Sequence, residues 1–183
     1  VKPGSSVAVF GCGGVGLNSI QGARIAGATT IIAVDVSDEK LEIAKKLGAT
    51  HAVNASKEDP VAFVKNVCGG ADYVFDASGR EETISQAWLA TGVFGQLTLV
   101  GLLKNGAKLT IDAGPFVNEQ SIKGCYFGSS NLQKDVLSLV KSYLSGELFL
   151  DELISERIGL DGLNGAVKRL KAGEGARNVL VFD

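Results

Sequence analysis

The 183 residues are 45% hydrophobic and 21% charged, enough for one buried core and a small appendage. A formal net charge of −2, a pI near 5.5 and the lack of a lysine or arginine cluster leave no electrostatic footprint for nucleic acid or an anionic membrane. The longest near-continuous apolar stretch, Leu97 to Leu103, is far short of the roughly 20 residues a membrane-spanning helix needs, and no signal-peptide pattern is present.

In chain order, apolar runs at Val7–Phe10, Ile31–Val34, His51–Val53, Tyr73–Phe75, Leu97–Val100 and Ile122–Phe127 alternate with longer helix-like stretches. Such alternation predicts parallel strands joined by crossover helices: a doubly wound α/β fold of the Rossmann type with six strands. After the first run, Val15, Ile20, Ala23 and Ala26 recur at near-helical spacing and Gly27 supplies a stop. Asp38 is the expected cap of the second helix, which buries Leu41, Ala44 and Leu47 and ends at Gly48. Further on, Lys108–Asp112 alternates like a half-exposed edge strand ahead of Gly114-Pro115. Beyond Phe127 the pattern changes to two amphipathic helices, striped by Val136, Leu139, Val140, Tyr143 and by Leu160, Leu163, Val167, Leu170, before a final Val179–Phe182 run. The expected division is therefore 1–127 for the sheet domain and 128–183 for a C-terminal helical segment.

The first run leads straight into Gly11-Cys12-Gly13-Gly14-Val15-Gly16, and Asp35 closes the second run 19 residues past the last glycine. G-x-G-x-x-G alone is a weak signal, but between a strand and a helix, with that acid, it is the dinucleotide-binding arrangement. Gly11 permits the tight turn, Gly13 lets backbone approach a pyrophosphate, and Gly16 lets helix pack on strand. The N–H groups of Gly14 and Val15 then sit at the helix N-terminus, where unpaired donors favour an anion. Asp35 is suited to ribose hydroxyls and repels a 2′-phosphate, so the expected cofactor is NAD rather than NADP, with Lys40 the one cation within reach of the ribose.

Cys12, Cys68 and Cys125 are widely spaced, without a C-x-x-C pair, and suit reduced thiols in the cytoplasm; with one histidine they make no convincing zinc site. The absence of methionine and the opening turn Val1-Lys2-Pro3-Gly4 suggest a piece of a larger protein.

Taken together, Val1–Gly4, Gly11–Leu17, Ala33-Val34-Asp35, Leu47–Thr50, Val100-Gly101, Gly173-Glu174 and Arg177 resemble the zinc-dependent medium-chain dehydrogenases, which include the alcohol dehydrogenases. The resemblance covers essentially the whole chain. It implies a coenzyme domain in which Gly11, Cys12, Gly13, Gly14, Val15, Gly16 and Leu17 line the pyrophosphate, Asp35 and Lys40 hold the adenosine ribose, and Val36 and Arg80 flank adenine. It further implies that the carbonyls of Val100 and Cys125 take the carboxamide and that Phe127 offers its N–H. Gly101, Leu102 and Tyr126 adjoin those positions, and Arg177 pairs with pyrophosphate, a task that suits a guanidinium fork.

The family's catalytic zinc ligands, two cysteines and a histidine, lie ahead of this segment. The resemblance therefore implies no metal ligand and no catalytic residue within 1–183, zinc in the parent protein only, and a catalytic domain of the same protein as partner. A small alcohol or aldehyde is the implied substrate, with aromatic and primary alcohols among the options, and a homodimer paired at the sheet edge near Leu109, Ile111 and Ile122 is the implied assembly. Leu102-Leu103 replaces the proline-rich hinge of some members.

Three alternatives share parts of the pattern: a zinc-free quinone or enoyl reductase of the same family, a stand-alone NAD-sensing module, and a methyltransferase using S-adenosylmethionine. Arg177 argues against the last. His51 reads as an edge-strand histidine, Cys12 as a small residue that fits its loop, Asp72 and Asp76 as acids with no converging catalytic group, and Trp88 as packing.

Overall fold

The computed structural model describes residues 1–182. Contacts divide the chain into two compact units, Val1–Leu132 and a second from Gln133 onward, five residues beyond the boundary at 127 expected from sequence.

In the first unit, β1 (Ser6–Phe10), β2 (Thr30–Asp35), β3 (His51–Asn54), β4 (Ala71–Asp76), β5 (Thr91–Leu99) and β6 (Ser121–Gly124) form one all-parallel sheet in the order β3-β2-β1-β4-β5-β6. The helices α1 (Gly14–Ile25), α2 (Asp38–Lys46), α3 (Pro60–Cys68) and α4 (Glu81–Ala90) make the crossovers. The fold is the expected doubly wound one. Val7 to Phe10 are fully buried, as a central parallel strand covered on both faces requires. Order reverses between β1 and β4, and all six strands point their carboxyl ends to one edge, where crevices of such sheets bind ligands.

Local chemistry explains the boundaries. Asp59 accepts from the N–H groups of Val61 and Ala62, Pro60 opens α3, and left-handed Gly69 closes it. On α2 the cap is Ser37 rather than Asp38, because the Asp35 carboxylate already holds the Ser37 N–H and sets the turn one residue earlier. Asp38 is instead the first helical residue, bonded by Asn54 and Lys57, and the Lys57 bond draws its carboxyl below the usual range. Leu41, Ala44 and Leu47 are buried as expected. On α1 the buried stripe is Gly16, Leu17, Ile20, Gln21 and Ala23; Val15 is 55% exposed and not part of it.

Three sequence expectations need correction. The fifth strand starts at Thr91 rather than Leu97, with a register shift opposite Ala71/Tyr73 and Phe94 at φ 60°. The sixth ends at Gly124, after which Cys125 makes one more bond to Leu99 and the chain leaves in a 3₁₀ turn over Phe127–Ser129. Lys108–Asp112 is not a strand: its alternation reports Leu109 and Ile111 packing on the core cluster, with no ladder, so the edge strand is β6.

In the second unit, α5 (Leu132–Leu144, beginning one residue ahead of it) precedes β7 (Ile154–Ile158), α6 (Leu163–Lys171) and β8 (Arg177–Leu180), with β7 and β8 paired in parallel. Leu148, Leu153, Ile158 and Ala166 are its buried apolar residues, whereas Val136, Leu139 and Val140 on α5 stand 47–54% exposed. Among the described residues no helix is long and apolar enough to cross a membrane.

Candidate cofactor site

The glycine loop connects β1 to α1 at the carboxyl edge of the sheet. Its three fingerprint glycines meet different surroundings. Gly11 adopts φ 94°, and a Cβ there would lie 3.1 Å from the Ser78 nitrogen. A Cβ on Gly16 would land on the Gly11 carbonyl oxygen, so this glycine serves the packing of α1 against the loop. Gly13 is the exception: φ is −75° and nothing lies within 4 Å of where its Cβ would stand. The fold itself does not ask for glycine at 13. Space there fits a cradle for an external group, and the donor set agrees: the first helical bond runs from the Leu17 N–H to Gly13, so the N–H groups of Gly14, Val15 and Gly16 precede the helical ladder.

Asp35 fixes this loop. Its Oδ2 accepts from the Cys12 N–H at 2.7 Å, and its Oδ1 accepts from the N–H groups of Val36 (2.8 Å) and Ser37 (3.0 Å). A carboxylate has about four acceptor positions, so three are used inside the chain and about one faces outward. Asp35 is thus both a strut between β2 and the glycine loop and a residual acceptor. Lys40 lies near enough that its charge acts on Cys12.

Cys12 is fully buried, its Sγ directed at the Val34 carbonyl. Burial, with the Asp35 charge second, pushes its thiol from an ordinary value near 9 to about 12. The helix N-terminus does not make it reactive. Iodoacetamide at pH 8 is expected to leave Cys12 unmodified in the folded chain and to label it once urea unfolds the protein; peptide mass mapping of labelled Cys12 in the native state would refute this. Because the raised value belongs to the folded state, this thiol's contribution to stability is present below about pH 9 and is lost as pH rises toward about 12.

Beside the loop lies a cleft of about 190 Å³ at the carboxyl ends of β1, β2 and β4. Four expected site residues, Gly11, Asp35, Val36 and Arg80, line it. So do Ala55, Ser78, Glu82, Thr83 and Gln86, which the sequence reading missed; of these only Ala55 and Ser78 carried a signal, each standing just past a strand end. Val100 and Gly101 lie on the neighbouring β5 exit, both bonded to the Asp76 carbonyl, with Leu102 96% exposed beyond them. Cys125 is tied to Leu99, while Tyr126 and Phe127 stand 92% and 71% exposed. All of these belong to the same sheet edge; Arg177 opens β8 of the second unit.

Residues outside the site take the bland roles expected of them. His51 is exposed on edge strand β3, Asp72 accepts from the Ser6 N–H and hydroxyl, and Trp88 is buried. Among the described residues no group of three or more His, Cys, Asp or Glu side chains could hold a metal ion, so these residues do not fit a zinc centre.

The sequence model for the zinc-binding dehydrogenases matches residues 14–142. The chain belongs to the zinc-binding dehydrogenase family. Within that family it is 36% identical to the alcohol dehydrogenase class-3 of Cereibacter sphaeroides, over 100% of this chain and 51% of the relative. Benzyl alcohol dehydrogenase from Acinetobacter calcoaceticus superposes with a TM-score of 0.96 at 31% identity, covering 100% of this chain and 51% of that one. A zinc-binding dehydrogenase from Sinorhizobium meliloti bound to NADP matches with a TM-score of 0.84 at 30% identity, covering 100% and 54%. The chain therefore spans about half the length of the relatives it matches.

Proposed function

We propose that this chain is the NAD(H)-binding half of a zinc-dependent alcohol dehydrogenase, which transfers hydride between an alcohol and nicotinamide. The observation that carries the reading is Gly13, a glycine that the fold leaves free, set in a loop braced by Asp35 beside an open cleft. When bound, the nicotinamide cofactor supplies the hydride acceptor or donor. This chain's share is to bind and orient: donors of Gly14 and Val15 for pyrophosphate, Asp35 and Lys40 for ribose, Val36 and Arg80 beside adenine, and backbone of Val100, Cys125 and Phe127 for the carboxamide.

Polarisation of the alcohol oxygen by zinc belongs to the other half of such an enzyme in this reading. The exposed apolar side chains of α5 suit a face that meets that half, and β6, the open edge strand, suits a two-fold partner. Substrates are small alcohols or aldehydes, and the location is cytoplasmic, in keeping with three free thiols. The alcohol dehydrogenases among its relatives favour this reading over a zinc-free reductase.

Calorimetric titration tests it. NADH is expected to bind at least about tenfold more tightly than NADPH, a difference of about 1.4 kcal/mol, because Asp35 opposes a 2′-phosphate. Asp35→Gly should narrow that gap, and should also weaken NADH itself, since it releases three backbone N–H groups. Equal affinity of the unaltered chain for the two cofactors would sink the NAD assignment.

A further inference from the structure

Asp76 ends β4 at the point where strand order reverses, and its side chain is fully buried. No lysine or arginine forms an ion pair with it among the described residues. Its oxygens are met by donors of the turn that follows: Oδ1 accepts from the Ser78 hydroxyl at 2.6 Å and the Ser78 N–H at 3.3 Å, and Oδ2 accepts from the Gly79 N–H at 3.0 Å. Its carbonyl oxygen accepts from the N–H groups of Val100 and Gly101, both at 2.9 Å. One residue thus grips the β4–α4 turn with its side chain and the β5 exit with its backbone.

The two segments also touch directly. A Cβ on Gly101 would fall on the Gly79 nitrogen and stand 3.0 Å from Asp76 Oδ2, and a Cβ on Gly79 would fall on the Leu102 carbonyl. A Cβ on Gly11 of the glycine loop would stand 3.1 Å from the Ser78 nitrogen. A buried carboxyl group is costly unless its oxygens are hydrogen-bonded, and closing a strand end does not require one. What the carboxyl group achieves here is a fixed geometry, since bonds to a hydroxyl and two amides leave the turn little freedom.

We infer that Asp76, acting through Ser78 and Gly79, is a positioning residue that locks the wall of the adenosine cleft to the Val100–Leu102 segment. The two ends of the cofactor site are then set together. The inference rests on the NAD(H) reading above and adds to it a coupling element outside the glycine loop. Its consequence is selective: loosening the Asp76 turn harms the nicotinamide end more than the common ADP-ribose part, because Val100 stands past the end of β5 and its N–H is bonded to the Asp76 carbonyl.

The test uses the full chain with Ser78→Ala, which removes the 2.6 Å bond and leaves Asp76 in place, and Asp76→Asn, which sets an amide NH₂ against existing donors. NADH and ADP-ribose are each titrated by calorimetry, and Tm is recorded. The expected result for Ser78→Ala is a loss of NADH affinity relative to ADP-ribose of about fivefold or more, the scale of one hydrogen bond. Asp76→Asn should lose more, and Ser78→Ala decides the matter if that variant does not fold. An unchanged NADH to ADP-ribose ratio, with both affinities falling together or neither moving, overturns the inference while leaving the cofactor reading intact. Failure of the unaltered chain to bind NADH removes both.

Discussion

Replacing Gly16 by alanine is expected to cost about 3 kcal/mol or more of folding stability, whereas the same change at Gly13 should cost within about 1 kcal/mol and yet abolish most cofactor binding. The difference lies in what each new methyl meets. At 16 it meets the Gly11 carbonyl oxygen, a backbone atom held by the β1–α1 turn, so helix and strand must separate. At 13 it meets nothing within 4 Å, and a φ of −75° suits alanine. The small loss of helix-capping quality at 13 is offset by the lower entropy of the unfolded chain. Urea denaturation gives the stabilities, and NADH titration should show a loss of at least about tenfold for Gly13→Ala. A stable Gly16→Ala variant, or a Gly13→Ala variant that binds NADH normally, contradicts the division of roles within the loop.

Trp88→Ala should be the most damaging single truncation on α4, at about 3–5 kcal/mol. The indole is 1% exposed within a cluster that includes Ile84, Ala87 and Leu97; its Nε1–H donates to the Asp112 carbonyl at 2.8 Å, and its ring lies 4.8 Å from that of Phe116. Loss of the side chain leaves a cavity and also frees the irregular 102–118 segment, which β-ladder bonds do not hold. Trp88→Phe keeps most of the packing and loses the hydrogen bond, for about 1–2 kcal/mol. Both are read by urea unfolding followed by far-ultraviolet circular dichroism, since Trp88 is the sole tryptophan. An alanine variant within 1 kcal/mol of the parent, about the worth of a surface change, would show that Trp88 does not anchor this segment.

The central strands and the glycine loop were legible because their signals are local. Val7–Phe10 and Ile31–Val34 are unbroken apolar runs, as strands buried on both faces must be, and the loop's spacing carries its own geometry. The start of β5 was not legible: Gly92 and Gly95 interrupt the run, and Phe94 takes a left-handed backbone that composition does not announce. Lys108–Asp112 misled for a related reason. Alternation reports that one side of a segment is buried, and Leu109 and Ile111 are indeed packed, but it does not report whether a neighbouring strand lies within hydrogen-bonding distance.

The cleft walls were the least visible part of the site. Thr83 and Gln86 reach it only because α4 starts where β4 ends, and neither residue type marks a ligand wall. Asp76 was noticed as an acid and set aside for want of a converging catalytic group. Its actual surroundings, three donors on Ser78 and Gly79 and backbone contacts 24 and 25 positions away at Val100 and Gly101, emerge only once the strands are aligned.

The three backbone bonds to Asp35 bear on how cofactor preference can evolve in this chain. On the proposed NAD(H) reading, exchange of that residue for one that welcomes a 2′-phosphate removes selectivity and scaffold in a single mutational event. A lineage moving between cofactors therefore passes through a loosened intermediate unless another acceptor for the Cys12 N–H arises first. The order of substitutions, and not only their identity, is constrained by a side chain with two employers.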